Sequence, residues 1–274
     1  MFDDVIAHLR CPVCGEPLAA TGSTLACPRR HSFDVAKQGH VDLTAGRVTN
    51  EGDTVAMVDA RETVHHARLL HSVVRAVVAA AAPGGRTGTL IVEVGAGTGG
   101  YLAAALDARP DAHGLAVDVS KPALRRAARA HPRMSAMRAD VWRGLPLVDG
   151  AADTVLDVFA PRSGSEFARI LRPDGILVVA AAQPGHLAEL TRPLGLLEVD
   201  PAKNERIDGS LSPWLTRQAT TQIVEPIDLT ARHARALIAM GPNAHHIDLD
   251  SLPADLPTKA TIRVQVTTWT KGPS

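Results

Sequence analysis

Thr89-Leu-Ile-Val-Glu93-Val-Gly95-Ala-Gly97-Thr-Gly99-Gly100 is a run of β-branched and aliphatic residues that empties into four glycines within six positions. Such a run reads as a buried strand ending in a tight turn, and Tyr101 to Ala108 reads as the helix behind it. Strand, glycine turn and helix make a nucleotide-binding start: the glycines let backbone approach a ligand, and the first-turn amides of the helix are unpaired. Gly95, Gly97 and Gly100 satisfy G-x-G-x-x-G, but dinucleotide folds share that pattern, so the glycines alone do not choose the ligand.

The neighbouring acids choose. Glu93 stands two residues before the first glycine, where S-adenosylmethionine enzymes often carry an acid near the methionine end of the cofactor and dinucleotide enzymes need none. A second strand, Gly114 to Asp118, ends in an acid 23 residues after Gly95, suited to the two ribose hydroxyls. A third, Met134 to Asp140, ends in another, suited to the adenine amino group, with Val141 beside it. Acids closing three successive strands favour S-adenosylmethionine over NAD, although capping a helix is a competing role for Asp118 and Asp140. The expected cofactor-binding set is Glu93, Gly95, Gly97, Gly99, Asp118, Asp140 and Val141. A fourth strand, Asp153 to Phe159, runs into Ala160-Pro161-Arg162, and Gly175 to Ala182 forms a fifth. The loop after a fourth strand lies at the carboxyl edge of the sheet, so Phe159, Ala160, Pro161 and Arg162 are the candidate substrate-facing wall, or else a proline-stiffened crossover. Thr261 to Trp269 alternates like a half-exposed antiparallel strand. The fold class expected is α/β: a class I, Rossmann-like methyltransferase domain over residues 85–274. A linker and helix precede it over 46–84, with the helical run from about Asp59 to Ala82 ended by Pro83-Gly84-Gly85.

Residues 1–45 read as a zinc-binding knuckle. Cys11-Pro-Val-Cys14 is followed after twelve residues by Cys27 and after three more by His31. Two such pairs close a tetrahedral shell of three thiolates and one imidazole, with no open position, which marks a structural zinc site. A redox pair at Cys11 and Cys14 is the alternative, but no βαβ pattern accompanies it. Cys11, Cys14 and Cys27 are the only cysteines of the chain, an odd and clustered set that argues against a disulfide framework. The 274 residues carry 29 basic and 29 acidic side chains and are 45% hydrophobic, an ordinary globular composition. No run of eighteen apolar residues appears, and the start has neither a basic nor an apolar leader region, so a cytoplasmic protein with no membrane segment is expected. Neutrality excludes an evenly basic nucleic-acid binder but not local patches. Seven basic residues between Lys121 and Arg143 face one acid, Asp140, a local balance of +6, and Lys121, Arg125 and Arg129 recur on one helix face. With Arg29, Arg30 and Lys37 of the knuckle they are the candidate RNA-binding residues, a solvated surface being the plainer reading of both groups.

As a set, these segments resemble the RlmA/TlrB-type 23S rRNA (guanine-N1) methyltransferases. The likeness runs from Cys11-Pro-Val-Cys14 and Cys27–Leu43 through Asp53-Thr-Val-Ala-Met57-Val-Asp-Ala-Arg61 and the glycine turn. It continues through Asp118–Pro122, Ala139–Trp142, Val158–Arg162 and Ala239-Met-Gly-Pro242. Asp140-Val-Trp142 and Phe159–Arg162 look most like the tylosin-resistance branch. The resemblance implies N1 methylation of a guanine in an rRNA hairpin loop (hairpin 35, position 748 type), a contribution to macrolide resistance, a zinc domain that helps recognise the RNA, and a homodimer. One departure is at Ala67–His71, where family members carry a Gly-His-Tyr step. Phe159 and Trp142 offer stacking surfaces for a splayed guanine, although packing beside the adenine is the favoured reading of Trp142. For the base that removes the N1 proton, Asp157, His245 and His246 are weak candidates. Other readings of the same residues are a small-molecule methyltransferase and a non-catalytic zinc RNA-binding or ribosome-assembly factor.

Overall fold

A computed structural model of the chain describes residues 2–44, 46, 48, 52–82, 89–245 and 247–272. In chain order the elements are β1 (Ala19–Thr21), β2 (Thr24–Ala26), β3 (Ser32–Asp34), β4 (His40–Asp42), α1 (Val55–His66), α2 (His71–Ala80), β5 (Thr89–Val94), α3 (Gly100–Ala108), β6 (Ala112–Asp118), α4 (Lys121–Ala130) and β7 (Met134–Arg138). There follow β8 (Ala152–Val158), α5 (Gly164–Ile170), β9 (Leu171–Ala182), α6 (Ala188–Thr191), α7 (Lys203–Leu211), β10 (Thr216–Asp228), α8 (Ala231–Ala239) and β11 (Lys259–Thr270). Strands β1 to β3 form a small antiparallel sheet, and the other eight form one sheet in the order β10-β11-β9-β8-β5-β6-β7-β4. Strands β4 to β9 in it run parallel to their neighbours, while β11 joins β9 and β10 joins β11 antiparallel. No helix among the described residues is long and apolar enough to cross a membrane.

The glycine-turn strand β5 lies in the middle of the sheet and is buried at all six positions. That is why it reads as a continuous apolar run rather than an alternating one: both faces of a parallel strand are covered. Ile91 faces a core built with Val73 and Val77 of α2, Leu102 and Leu106 of α3, Leu124 of α4 and Leu237 of α8. Leu90 and Val92 face the opposite core, which takes in Phe167 and Ile170 of α5 and Leu211 of α7. The same core contains Phe2, Val5, Leu9, Cys11, Leu18, Leu25, Cys27 and Leu43. The N-terminal segment thus occupies part of a sheet face that helices would otherwise cover. It also supplies an edge strand, because His40, Val41 and Asp42 pair with Ala136, Met137 and Arg138.

Two stretches differ from the sequence expectation. The helical run expected from Asp59 to Ala82 is two helices, α1 and α2, broken at residues 67–70. Thr54 caps α1 by accepting from the Met57 amide. At the other end the Arg68 amide donates to the His65 carbonyl at 2.9 Å and the Leu69 amide to the Val64 carbonyl at 3.2 Å. This Schellman arrangement needs a left-handed residue, and Arg68, at φ 56°, provides it. The apolar spacing runs on across the break because both helices lie on the same sheet face, and neither glycine nor proline marks the stop. Strand β10 carries no apolar alternation; it is an edge strand, exposed at its first seven positions, with Pro226 tolerated there. The expected stop at Pro83-Gly84-Gly85 lies outside the described residues.

Arg68→Gly relieves the left-handed strain at the end of α1. It is expected to raise stability by about 0.5–1 kcal/mol, read as an upward shift of the thermal midpoint.

Candidate active site and metal centre

The site begins where β5 turns. Gly95, Gly97 and Gly99 all have positive φ, and the first two face the cleft walls, Gly95 with no room for a side chain and Gly97 with little. A Cβ on Gly95 would collide with Ala160, and one on Gly97 would press on the Arg61 side chain at 3.2 Å. Gly99 serves packing instead: a Cβ there would meet Met134 and Ala127, so the glycine lets α3 sit close to its neighbours. Two adjoining cavities, of about 290 and 210 Å³, share Arg61, Gly95, Gly97, Val158 and Phe159 as common walls and form one cleft along the carboxyl edge of the sheet.

One end of the cleft is lined by Asp118, Val119, Asp140, Val141, Ala160 and Pro161. Asp118 is fixed by two backbone amides, Gly97 to Oδ2 and Ser120 to Oδ1, each at 2.8 Å, and burial raises its pKa. Asp140 is buried and accepts from the Trp142 amide at 3.0 Å, so it caps a short turn while lining the cleft. Trp142 itself is exposed and lines neither cavity. At the other end stand Glu93, His65, Arg68, His71, Tyr101 and Met240. Glu93 is 1% exposed and accepts from the Leu102 amide at 3.1 Å. Burial, reinforced by Asp118 and Asp157 and opposed by the Leu102 amide and Arg61, pushes its carboxyl up to about 8.

Of the expected wall, Phe159, Ala160 and Pro161 line the cleft, and Arg162 turns away from it. Arg162 Nε donates to Asp157 Oδ2 at 2.7 Å and Nη2 to the Ala160 carbonyl at 3.1 Å, which draws the loop into a tight turn. Asp157 is fully buried and lines neither cavity; burial pushes it up to about 6 against the pull of Arg162. Its place is that of a brace for the wall. Phe159 holds a left-handed backbone, φ 54°, strain of the kind that persists where surrounding contacts fix it. The rings of His65, Tyr101, Phe159 and His186 follow one another at 6.3–6.4 Å. Arg61, His65 and Tyr101 were not among the site residues read from the sequence. The signal for Tyr101 was present: it is the single tyrosine of the chain and opens the helix after the glycine turn. His245 lies in the turn Pro242–His245, and His246 is outside the described residues.

In the N-terminal segment Cys11, Cys14, Cys27 and His31 bring their ligand atoms within 4.8 Å of one another. Cys14 and Cys27 sulfurs are 3.6 Å apart, and His31 Nδ1 is 3.5 Å from Cys11 Sγ and 3.4 Å from Cys27 Sγ. Those separations suit a tetrahedron with Zn–S near ~2.3 Å and Zn–N near ~2.0 Å, and three thiolates with one imidazole are a zinc donor set. The basic cluster is more committed than its count suggests. Arg133 binds the Arg109, Ala112 and Leu106 carbonyls, and Arg138 binds the Val119 carbonyl and Asp42. Arg126 pairs with Asp59 and Glu62, and Lys121 with Asp42 at 3.4 Å. Arg125, Arg129 and Arg143 are exposed with no ion pair among the described residues. In the knuckle Arg29 faces Glu16 at 3.7 Å, while Arg30 and Lys37 are exposed.

Fold and site together define a class I methyltransferase domain carrying a zinc ribbon. The family model for the RlmA N-terminal zinc ribbon matches residues 9–44, and a methyltransferase-domain model matches residues 91–175. The chain is 46% identical, over 96% of its length and 93% of the relative's, to a Micromonospora griseorubida protein described as "Putative 23S rRNA (guanine-N(1)-)-methyltransferase". It is 42% identical, over 97% of both chains, to the 23S rRNA (guanine(748)-N(1))-methyltransferase of Streptomyces fradiae. It therefore belongs to the family of 23S rRNA (guanine-N1)-methyltransferases with an RlmA-type zinc ribbon, and its cofactors are S-adenosylmethionine and structural zinc. Among solved structures, a complex containing the Haloferax volcanii Trm112 methyltransferase activator shares the fold, with a TM-score of 0.55 and 16% identity over 82% of this chain and all of that one.

A carboxyl raised from 4.5 to about 8 keeps its proton in the folded state between those pH values while the unfolded chain has lost it. Burial of Glu93 therefore lowers stability progressively from about pH 4.5, fully so above about 8. Without cofactor, Glu93→Gln is expected to melt above the wild type at pH 8–9, with the gap closing towards pH 5, as followed by scanning fluorimetry. Stripping zinc with a chelator is expected to lower the melting temperature of the whole chain in one transition, because the knuckle and the sheet share a core.

Proposed function

We propose that the protein transfers a methyl group from S-adenosylmethionine to N1 of a guanine in a hairpin loop of 23S rRNA, of the guanine-748 type, acting in the cytoplasm as a homodimer. The observation that carries this reading is 42–46% identity running across both the zinc ribbon and the methyltransferase domain. The cleft fits the cofactor on its own chemistry: a glycine turn in left-handed backbone that side chains would crowd, a buried carboxyl at one end and two acids at the other. Asp118 is assigned to the ribose hydroxyls and Asp140 with Val141 to the adenine. Glu93, Gly95 and Gly97 border the methionine half, with Gly99 allowing α3 its close approach.

The bound cofactor supplies a methyl group already activated on a sulfonium, so the protein's task is alignment, worth up to about 7–11 kcal/mol. Phe159 lines both ends of the cleft and, with Tyr101, presents the aromatic surface on which a splayed guanine stacks. Guanine N1 carries a proton that must leave. Two imidazoles, His65 and His71, line the acceptor end, and burial holds His65 below the usual histidine value, neutral at pH 7. RNA contacts are assigned to Arg30, Lys37, Arg125 and Arg129, with Arg29 and Lys121 joining them at the cost of their present ion pairs.

Methyl transfer from labelled cofactor to 23S rRNA lacking the modification, mapped by primer extension, is expected to place a stop at one loop guanine. Labelling of small molecules alone would overturn the reading. Phe159→Ala is expected to lower kcat/KM for the RNA by the ~1–3 kcal/mol of a base–aromatic stack, roughly 5- to 150-fold. Sedimentation of the purified protein tests the dimer, and tylosin susceptibility of cells expressing it tests the resistance role.

A further inference from the structure

We infer that Arg61 reads the α-carboxylate of S-adenosylmethionine, from a guanidinium held ready by Asp53 and the Met240 carbonyl. The inference rests on the cofactor assignment above and goes beyond it by naming a cationic subsite. S-adenosylmethionine is mostly a ligand for acids and acceptors: a sulfonium, an ammonium, two ribose hydroxyls and an adenine amino group. Its one anion is the carboxylate of the methionine half. The cleft presents Glu93, Asp118 and Asp140 to the first kind of group, and something must answer the second. Among the five residues that line both ends of the cleft, Arg61 alone carries a charge.

The geometry separates Arg61 from an ordinary structural arginine. Nε and Nη2 donate to the same oxygen of Asp53, Oδ2, at 3.1 and 2.6 Å, and Nη2 also donates to the Met240 carbonyl at 3.2 Å. Both hydrogens of Nη1 are left without a partner among the described residues. The Arg61 Cδ and Nε lie 3.2 and 3.3 Å from where a Cβ on Gly97 would sit, so the side chain lies against the glycine turn, the ligand-facing stretch of backbone. Its charge is felt by the groups around the ligand space, drawing down the carboxyls of Glu93 and Asp118.

Asp53 is itself tied to the ribose end. Its carbonyl accepts from Ser120 Oγ at 2.7 Å, and Gly52 packs on Ser120 so closely that a Cβ would fall 2.8 Å from it. Ser120 in turn donates its amide to Asp118. The segment 52–61 is thus a strap from the ribose acid to the carboxylate-reading arginine, and a guanidinium fixed in this way loses little freedom when it binds.

The test is calorimetric binding of S-adenosylmethionine and of decarboxylated S-adenosylmethionine, which keeps the sulfonium and lacks the carboxylate. Both ligands are measured with the wild type, Arg61→Gln and Arg61→Lys. The wild type is expected to prefer the full cofactor by about ten- to a hundredfold, the range of a charge-assisted pair. Arg61→Gln is expected to lose that preference while binding the decarboxylated ligand within threefold of wild type, and Arg61→Lys to keep part of it. Equal weakening of both ligands by Arg61→Gln, or a wild type that does not distinguish them, overturns the inference and leaves the cofactor assignment standing. A wild type that binds neither ligand overturns the cofactor assignment itself.

Discussion

A parallel sheet buried on both faces is the constraint on which the rest of this molecule depends, and one of its faces is covered partly by a metal-held segment. Leu9, Cys11, Leu18, Leu25 and Cys27 lie in the same core as Leu90, Val92, Leu115 and Val117. About forty residues built from three-residue strands bury too little to hold themselves, so the zinc shell fixes the surface that the sheet packs against. The dependence reaches the cleft through polar links as well. Asp42 of β4 accepts from Arg138 Nη1 at 2.9 Å, and Arg138 Nε donates to the Val119 carbonyl at 2.8 Å, in the loop that carries Asp118. The knuckle therefore braces the Asp118 end of the cleft.

The cleft carries acids at both ends, Glu93 at one and Asp118 and Asp140 at the other. Burial raises the pKa of both Glu93 and Asp118, with Asp118 and Asp157 adding to the effect on Glu93 and Asp53 to that on Asp118. Backbone amides from Leu102, Gly97 and Ser120 hold the first two in place but do not neutralise them. Arg61, paired with Asp53, is the cation beside them and draws both carboxyls down. Arg162 pairs with Asp157 Oδ2 and donates to the Ala160 carbonyl, next to the left-handed Phe159, so the ion pair acts on the wall's shape.

The parts legible in the sequence were those whose chemistry is local. Continuous burial wrote the β5 run, the backbone's approach to a ligand wrote Gly95 and Gly97, and a tetrahedral shell wrote the cysteine spacing. What was illegible came from distant partners. Strand β4 is three residues whose place is set by pairing with β7, nearly a hundred residues on. Strand β10 is an edge exposed at its first seven positions, and only Ile223 and Ile227 in its second half pack against the core. The break at Arg68 leaves the apolar spacing intact because α1 and α2 cover the same face. Arg61 and His65 reach the cleft only because α1 is laid across the glycine turn, and Arg162 leaves the wall because Asp157, five residues back on a buried strand, requires a cation.

The basic stretch between Lys121 and Arg143 shows the same limit. Its seven cations do not all face solvent: Arg133 binds the carbonyls of Leu106, Arg109 and Ala112 at the α3–β6 junction, Arg138 joins β4 to the Asp118 loop, and Arg126 crosses to two acids of α1. These are the bonds by which α4 and β7 are fastened, and removing such an arginine would disturb the cleft before it disturbed any contact with RNA. Arg125 and Arg129 of α4 and Arg143 after β7 are exposed with no ion pair among the described residues, and Lys121 is exposed although it pairs with Asp42. That pair puts α4 beside the N-terminal segment, which carries Arg30 and Lys37. A surface of a few free cations holds an RNA by shape and by a small number of phosphates rather than by a dense positive field. Recognition then has to come from where those few cations sit relative to the cleft, which the sheet, and through it the zinc, determines.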